Sequence, residues 1–210
     1  MKIGFIGLGN MGAPMAINLA KAGHELIGYD AKLDVPKELT QGVSSKTLAK
    51  DADVVILMLP NGEISKSVAF DILPVMQKGS VMIDCSTIDV ASAKKINQIA
   101  DKNLIDFLDA PVSGGVVGAC AGSLTFMVGG KEDIYTKVAH LFNIMGQKSV
   151  FCGAAGNGQS AKICNNMILG VTMIATCEAF SLADNLGLDR QAMYDVVSTS
   201  SGSSWSMNTY

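Results

Sequence analysis

The stretch GFIGLGNMGAPMA, from Gly4 to Ala16, decides the fold class of this chain. Its glycines at positions 7, 9 and 12 have the spacing Gly-x-Gly-x-x-Gly. The stretch follows an apolar run typical of a strand, Lys2–Ile6, and opens a helical pattern over Met11–Ala22. A glycine loop between a strand and a helix is typical of dinucleotide-binding folds, because N–H groups at a helix N-terminus bind phosphate. The alternative is a glycine-rich turn without a ligand, in a chain that contains 22 glycines.

An acidic residue further along the chain favours the first interpretation. Asp30 follows a second apolar run, Glu25–Tyr29, at about the distance from the glycines that the dinucleotide fingerprint requires. A carboxylate there accepts hydrogen bonds from the ribose hydroxyls of NAD and repels the extra phosphate of NADP. We therefore predict NAD as the cofactor. NADP is the alternative, because Lys32 lies close enough in sequence to meet a phosphate.

Apolar runs and helical patterns go on alternating up to about residue 156. The predicted strands are Val54–Leu59, Ser80–Asp84, Asp106–Asp109, Leu124–Val128 and Ser149–Cys152, and the predicted helices cover 63–76, 89–102 and 132–144. Alternation of this kind implies parallel strands with right-handed crossovers. We therefore predict an α/β fold, with an N-terminal Rossmann-type domain over residues 1–156 whose doubly wound sheet is mostly parallel.

The pattern changes after Gly156. Residues 157–186 contain no proline and no strand-like run, which predicts one long interdomain helix that ends at Gly187. A shorter helix over Asp189–Ser198 follows, with Asp189 as its N-cap, and the last residues are predicted to be a loop. Two helices cannot bury their apolar faces alone. Residues 157–210 are therefore predicted to be the incomplete start of an all-α C-terminal domain, and we expect the chain to be truncated at its C-terminus.

The composition limits the classes of partner. Hydrophobic residues make up 49% of the chain, charged residues 17%, and the net charge is −3 without a basic cluster. These values favour a folded protein that binds neither nucleic acid nor an anionic membrane. The uncharged stretch Ile163–Cys177 is shorter than a membrane span and contains polar residues, so we predict a buried helix.

The cysteines and histidines argue against disulfides and metal sites. Five cysteines occur in apolar or small-residue surroundings without a C-x-x-C pair, which predicts reduced core residues and a cytoplasmic location. His24 and His140 lack the spacing of metal ligands, so no metal is expected. No signal peptide or arginine-rich transit segment is recognised at the N-terminus.

Two short stretches follow predicted strands and are candidates for the cofactor site. They are MLPNG (58–62), which contains Pro60, and DCSTID (84–89), which contains Thr87. Ligands of open parallel sheets bind beyond the carboxyl ends of the strands, so both residues are expected near the cofactor. The alternatives are a simple strand stop at Pro60 and an N-cap at Ser86 or Thr87 for the helix that follows.

Two later stretches could bind or transform a substrate. In DAPVSGG (109–115), Ser113 and two glycines could form a nest of N–H groups for a carboxylate, or an ordinary flexible loop. In GNGQSAKICNN (156–166), Lys162 is the lone charge in an apolar helical pattern, and Asn166 lies four residues later on the same face. A desolvated lysine can act as an acid or base. The alternative is that Lys162 extends to solvent.

The order of four motifs resembles the β-hydroxyacid dehydrogenase family over essentially the whole chain. These motifs are GFIGLGNMGAPMAINLAKAG, DAPVSGG, GSLTFMVGG and GNGQSAKICNNMILG. The resemblance implies oxidation of a small 3-hydroxy acid, with hydride transfer to NAD, by a homo-oligomer such as a dimer or tetramer. A dinucleotide-binding protein without turnover is the alternative from another functional class.

The resemblance also assigns expected roles to individual residues. Lys162 is implied as the catalytic acid and base, and Asn166 as a residue that helps hold the substrate. The substrate carboxylate is expected at Ser113, Gly114 and Gly115. The implied cofactor-binding residues are Gly7, Leu8, Gly9, Asn10, Met11, Gly12 and Asp30, together with Leu59, Pro60 and Thr87 on the nicotinamide side.

Overall fold

The computed structural model describes residues 1–209 and divides the chain into two compact units. The first unit is Met1–Lys162, and the second begins at Ile163. Within the described residues, the strands form one nine-stranded sheet. The strands are β1 Lys2–Ile6, β2 Glu25–Tyr29, β3 Thr40–Gln41, β4 Val54–Leu57, β5 Val81–Asp84, β6 Asp106–Asp109, β7 Val112–Ser113, β8 Leu124–Gly130 and β9 Gly146–Gly153.

The sheet is mostly parallel, as the sequence predicts. Its order is β3-β2-β1-β4-β5-β6-β8-β7, with β9 paired to β8. Every neighbouring pair from β3 to β6 is parallel, whereas β8 runs antiparallel to β6 and β7. The carboxyl ends of β1, β4, β5 and β6 therefore lie side by side, which is the edge where ligands of open α/β sheets bind.

Helices cover both faces of this sheet. They are α1 Gly12–Lys21, α2 Ser45–Lys50, α3 Gly62–Ile72, α4 Val90–Lys102, α5 Gly115–Ala121 and α6 Glu132–Met145. A long helix, α7 Asn157–Asn185, begins in the first unit, and α8 Arg190–Ser198 and α9 Trp205–Thr209 lie in the second. The doubly wound Rossmann-like arrangement predicted from the sequence is confirmed.

The side chains of each central strand alternate between two hydrophobic cores. Along β4, Val54 and Ile56 belong to the core beneath α1 and α6, whereas Val55 and Leu57 belong to the core beneath α2, α3 and α4. All four side chains are fully buried. Burial of each such side chain contributes about 1.5–3 kcal/mol, which is why strands covered on both faces read as continuous apolar runs.

Several short elements differ from the sequence predictions. The sequence predictions do not include β3, α2, β7 and α5, which have two to seven residues each. The prediction of a loop at the C-terminal end is wrong over Trp205–Thr209, which is α9. Elements this short carry less than two full periods of apolar pattern, so sequence alone identifies them poorly.

The prediction that all five cysteines are core residues is also wrong. Cys85 is buried and Cys152 is partly buried, but Cys120, Cys164 and Cys177 are exposed. All five thiols are free. The prediction relied on the apolar or small residues that surround each cysteine in the sequence. The structure shows that this signal indicates burial correctly only for Cys85.

In the second unit, α8 begins as the sequence predicts. The Ala192 N–H donates to Asp189 Oδ1 at 3.0 Å, so Asp189 is the N-cap. Arg190 forms an ion pair with Asp184 at 2.7 Å. A hydrogen bond of 3.0 Å joins the hydroxyls of Thr172 and Ser206, which ties α9 to α7.

The prediction of a buried helix over Ile163–Cys177 is wrong for this chain. Apolar side chains along α7 are exposed, including Met167, Ile168, Val171 and Ile174. By length and composition alone, α7 is the one helix within residues 1–209 that could cross a membrane. Core helices of soluble proteins have the same length and composition. The exposed apolar face of α7 therefore does not indicate whether protein or lipid would bury it.

The first turn of α7 is held by the carboxylate at the end of β6. The N–H of Gly156 donates to Asp109 Oδ1 at 2.6 Å, and the N–H of Gln159 donates to Oδ2 at 2.9 Å. A Cβ at Gly158 would overlap the carbonyl oxygen of Met127 and lie 2.8 Å from Asp109 Oδ2. Only glycine at position 158 permits this approach of the helix to the sheet.

We expect Asp109→Ala to lower the free energy of unfolding by about 3 kcal/mol, because two buried N–H groups lose their acceptor. Urea denaturation followed by circular dichroism measures this change. Asp34→Ala, at an exposed carboxylate, is the matched control and is expected to change stability by less than about 0.5 kcal/mol. Equal stabilities of the two variants would contradict the role of Asp109.

Candidate active site

The glycine loop after β1 has the shape of a phosphate site. Gly7 has a φ of +95°, and a Cβ at Gly12 would overlap the carbonyl oxygen of Gly7, so α1 can begin there only with glycine. At Gly9, in contrast, a Cβ would meet no atom within 4 Å. The N-cap residue Met11 makes no side-chain hydrogen bond to α1. The loop therefore offers open space beside an uncapped helix N-terminus, which fits the pyrophosphate of a dinucleotide.

The other predicted loop residues differ in exposure. Leu8 is buried in the core beneath α1, whereas Asn10 is exposed and Met11 is partly exposed. The N–H of Leu8 is already used, because it donates to Asp30 Oδ2 at 2.8 Å. A ligand at this loop would therefore meet backbone groups from Gly9 onward rather than the Leu8 amide.

Asp30 connects the end of β2 to the glycine loop. Besides Leu8, the N–H groups of Lys32 and Leu33 donate to Asp30 Oδ1 at 2.8 and 3.0 Å. Burial alone would raise the pKa of Asp30, but these three backbone donors stabilise the carboxylate, and its pKa is lowered overall. Three hydrogen bonds leave about one lone pair of an ionised carboxylate free. Asp30 thus presents a negative charge and a remaining acceptor beside the glycine loop.

The turn after β4 is fixed by a serine from the next strand. The Leu59 N–H donates to Ser86 Oγ at 2.8 Å, and the Ser65 hydroxyl donates to the same oxygen at 3.2 Å. Leu59 is partly exposed and Pro60 is exposed. The buried Ser86 side chain therefore holds this turn with its apolar residues directed toward the surface.

Thr87 lies in the segment after β5 and does not cap the helix that follows. The N-cap of α4 is Asp89, whose Oδ1 accepts from the Ser92 N–H at 2.8 Å. Thr87 is exposed between the buried residues Ser86 and Ile88. The alternative in which Thr87 is an N-cap is therefore excluded, and its hydroxyl is available at the carboxyl edge.

One buried residue in this region is absent from the sequence predictions. Gln159 is completely buried, and its side-chain amide binds the backbone of Ser86 and Ile88. The only sequence signal is an uncharged polar residue at the start of a long helix, between a glycine and small residues. That signal does not distinguish a buried glutamine from an exposed one.

The Ser-Gly-Gly stretch joins the end of β7 to α5. Gly114 has a φ of +131° and Gly115 a φ of +62°, and both are exposed, whereas Ser113 is partly exposed. Gly114 is the N-cap of α5 and provides no side-chain hydrogen bond. Both φ values lie in the region that favours glycine, so this exposed backbone has no side-chain cover, which is compatible with binding of a carboxylate.

Lys162 lies in the first turns of α7. Its side chain is half-buried, and desolvation lowers the pKa of its amine. None of the ion pairs among residues 1–209 involves Lys162, so no carboxylate offsets this effect. Asn166 follows on α7, is exposed, and accepts a hydrogen bond of 3.5 Å from the Asn165 amide.

The sheet topology brings most candidate residues of the first unit to one edge, whereas Ser113, Gly114 and Gly115 follow β7, which lies beyond β8 in the sheet order. The glycine loop, the Leu59–Pro60 turn and Thr87 follow three neighbouring parallel strands. Lys162 lies on the helix that Asp109 binds at the end of the next strand. Within residues 1–209, no group of three or more His, Cys, Asp or Glu side chains could hold a metal ion. The groups that the structure places at this edge include an amine, hydroxyls, backbone N–H groups and the carboxylates of Asp84 and Asp109.

Comparison with known families agrees with this geometry. Residues 2–153 match the family described as the NAD binding domain of 6-phosphogluconate dehydrogenase. Residues 156–210 match the family described as the NAD-binding domain of NADP-dependent 3-hydroxyisobutyrate dehydrogenase. The two matches together cover nearly the whole chain.

Individual relatives carry the same name. The chain is 49% identical to human mitochondrial 3-hydroxyisobutyrate dehydrogenase, over 99% of this chain and 64% of the human protein. It is 44% identical to a probable 3-hydroxyisobutyrate dehydrogenase of Mycobacterium tuberculosis, of which it covers 72%. A solved structure of the M. tuberculosis 3-hydroxyisobutyrate dehydrogenase with L-serine has a TM-score of 0.92 and 43% identity, over 99% of this chain and 73% of that one.

The chain spans 64% of the length of the human relative and 72% of the mycobacterial one. Both matches nevertheless extend over 99% of this chain. These findings show that the chain belongs to the β-hydroxyacid dehydrogenase family, in which the relatives compared above are named 3-hydroxyisobutyrate dehydrogenase.

Proposed function

We propose that this protein oxidises 3-hydroxyisobutyrate to methylmalonate semialdehyde with NAD, a reaction of valine degradation. The observation that carries the proposal is Lys162, a half-buried amine without a counterion at the ligand-binding edge of an NAD-binding sheet. The relatives named 3-hydroxyisobutyrate dehydrogenase support this choice of substrate.

In the proposed reaction, Lys162 in its neutral form accepts the proton of the substrate hydroxyl. When bound, NAD would supply the acceptor for the hydride on the carbon that bears this hydroxyl. The products are the aldehyde, the reduced cofactor and a protonated Lys162, which returns its proton to solvent. Desolvation favours the neutral amine that this step requires, which is the physical link between the position of Lys162 and its proposed role.

The remaining residues position the substrate. Ser113, Gly114 and Gly115 would bind the substrate carboxylate through a hydroxyl and exposed N–H groups, and Asn166 would contribute an amide. Positioning of this kind orients the reacting carbon–hydrogen bond toward the cofactor and lowers the entropic cost of the reaction. The glycine loop, Leu59, Pro60 and Thr87 would hold the cofactor.

We expect Lys162→Met to lower kcat for oxidation of 3-hydroxyisobutyrate by about 10²–10⁴-fold, because the general base is lost while the apolar stem is kept. NADH absorbance measures turnover, and NADH fluorescence measures cofactor binding, which should not change. Lys95→Met, at an exposed lysine of α4, is the matched control. Equal turnover by the Lys162→Met variant would contradict the role of Lys162.

The same assignment fixes the direction of the pH dependence. Oxidation requires neutral Lys162, so kcat/KM should rise with pH and reach a plateau at a pH below the ordinary pKa of lysine, because desolvation lowers the pKa of this amine. A pH profile of kcat/KM measures this. A profile that is flat or falls with rising pH over this range would assign the proton transfer to another group.

A substrate panel separates the proposed function from its alternatives. The panel contains 3-hydroxyisobutyrate and other 3-hydroxy acids with NAD and NADP, and tartronate semialdehyde with NADH and NADPH. Turnover of tartronate semialdehyde alone would make the protein a reductase of the same family. Cofactor binding without turnover of any substrate would leave a dinucleotide-binding protein.

We further propose that NAD is preferred to NADP because of the ionised carboxylate of Asp30. Two observations point to NADP instead. Residues 156–210 match an NADP-dependent family, and Lys32 lies close to Asp30 in the sequence. Asp30→Asn should weaken the preference for NAD over NADP about tenfold, since the charge that repels the extra phosphate is removed. Dissociation constants for both cofactors measure it, with Asp34→Asn as the control. An unchanged ratio would contradict the proposal.

We propose a homo-oligomer, a dimer or tetramer, and a cytoplasmic location. The exposed apolar side chains of α7 favour association, because an apolar surface of this extent is stabilised by burial. The five free thiols fit a reducing compartment. The vertebrate relatives are named mitochondrial, and that name describes those proteins.

Light scattering tests the proposed association. The unmodified chain should have at least twice the mass of a monomer, and Ile168→Asp should shift it toward the monomer, because the charge disfavours burial of α7. Val43→Asp, at an exposed apolar residue of the first unit, is the control and should not change the mass. A monodisperse monomer of the unmodified chain would exclude the oligomer.

A further inference from the structure

Gln159 is a fully buried polar residue whose hydrogen bonds reach a distant part of the chain. Its Oε1 accepts from the Ile88 N–H at 3.1 Å, and its Nε2 donates to the Ser86 carbonyl oxygen at 2.8 Å. The side-chain amide thus pairs with the backbone on both sides of Thr87. Without it, the buried donor of Ile88 and acceptor of Ser86 would lose these partners.

The segment that Gln159 binds is connected to a second candidate loop. The Ser86 side chain accepts the Leu59 N–H at 2.8 Å, so the position of Ser86 also sets the turn at Leu59 and Pro60. These two loops are the ones proposed above to contact the nicotinamide half of the cofactor. The glycine loop, proposed for the pyrophosphate, has no hydrogen bond to Gln159.

Gln159 also belongs to the helix that carries Lys162. It precedes Lys162 by three residues on α7, and its own N–H donates to Asp109 Oδ2 at 2.9 Å. The main chain of Gln159 is therefore fixed to β6 while its side chain is fixed to the segment after β5. Because an α-helix is stiff over one turn, this arrangement sets the position of Lys162 relative to Thr87.

We propose that Gln159 is a positioning residue that holds the Thr87 segment and the Leu59–Pro60 turn at a fixed position relative to Lys162. It thereby shapes the nicotinamide half of the cofactor site. This inference rests on the proposed function only in the assignment of these loops to the nicotinamide. The Gln159 amide presents a donor and an acceptor at the spacing that the backbone of Ser86 and Ile88 requires, whereas an apolar side chain of the same volume presents neither.

Binding of NAD and of ADP-ribose by the whole chain tests the proposal without turnover. ADP-ribose contains the part of NAD that the glycine loop would bind and lacks the nicotinamide. In Gln159→Met, which keeps the side-chain volume, the affinity for NAD should fall about tenfold while the affinity for ADP-ribose stays within about twofold. Isothermal titration measures both, and Gln98→Met, at an exposed glutamine of α4, is the control.

The Gln159→Glu variant provides a pH-dependent rescue. At neutral pH its carboxylate would face the Ser86 carbonyl oxygen and weaken NAD binding, whereas at lower pH the protonated carboxyl would donate to that oxygen and restore it. Asp109, Asp84, Cys85 and Lys162 are titratable groups of the surrounding elements in every form of the protein. The readout is therefore the ratio of NAD affinities between the variant and the unmodified chain, which should approach one as the pH falls.

The possible results support or overturn the inference separately from the proposed function. Equal losses of NAD and ADP-ribose affinity, or a lower melting temperature with both affinities unchanged, would show that Gln159 serves folding alone and would overturn it. An unmodified chain that does not bind NAD would overturn it as well. An unmodified chain that binds NAD but does not oxidise 3-hydroxyisobutyrate would refute the proposed function, and the ratio of affinities would still decide the role of Gln159.

Discussion

The candidate site depends on one buried contact, between the carboxylate of Asp109 and the N-terminal turn of α7. Burial raises the pKa of this carboxyl, and the N–H groups of Gly156 and Gln159 oppose that effect. The partial positive charge at the N-terminus of a helix also favours the ionised form. The first turn of α7 is in this way fixed to the end of β6 within the first unit. This contact sets the direction of the side chains of that turn and of Lys162.

A second buried carboxylate, that of Asp84, lies beside Asp109 at the end of the neighbouring strand. Asp84 is the register partner of Asp109 on β5, and burial raises its pKa to about 6, with the charge of Asp109 adding to the effect. Asp84 Oδ1 accepts the N–H of Ser86, whereas Oδ2 makes no hydrogen bond within residues 1–209. The two strand ends thus carry acceptors that hold the segments following them, one through Ser86 and the other through α7.

The sequence predicts the parts of this structure that are determined locally. The central strands are continuous apolar runs because helices cover both of their faces, and Asp189 caps α8 through an interaction that spans three residues. The glycine loop is predictable for the same reason, since Gly7 and Gly12 are required by contacts within the loop itself. Local pattern and short-range sterics are sufficient at these positions.

What the sequence does not reveal is determined by contacts between distant residues. Gln159 and Ser86 are 73 positions apart, and neither belongs to a periodic pattern that would indicate burial. The exposure of α7 has the same origin, because an apolar helix has the same sequence pattern whether the surface that buries it belongs to the same chain or to another molecule.

The two halves of the proposed cofactor site differ in the kind of interaction that shapes them. The pyrophosphate half is set by steric limits at glycines, whereas the nicotinamide half is set by hydrogen bonds among Leu59, Ser86 and Gln159. Substitutions at Gly7 or Gly12 would distort the loop itself, whereas substitutions in the second half would leave room for the ligand but lose its alignment with Lys162.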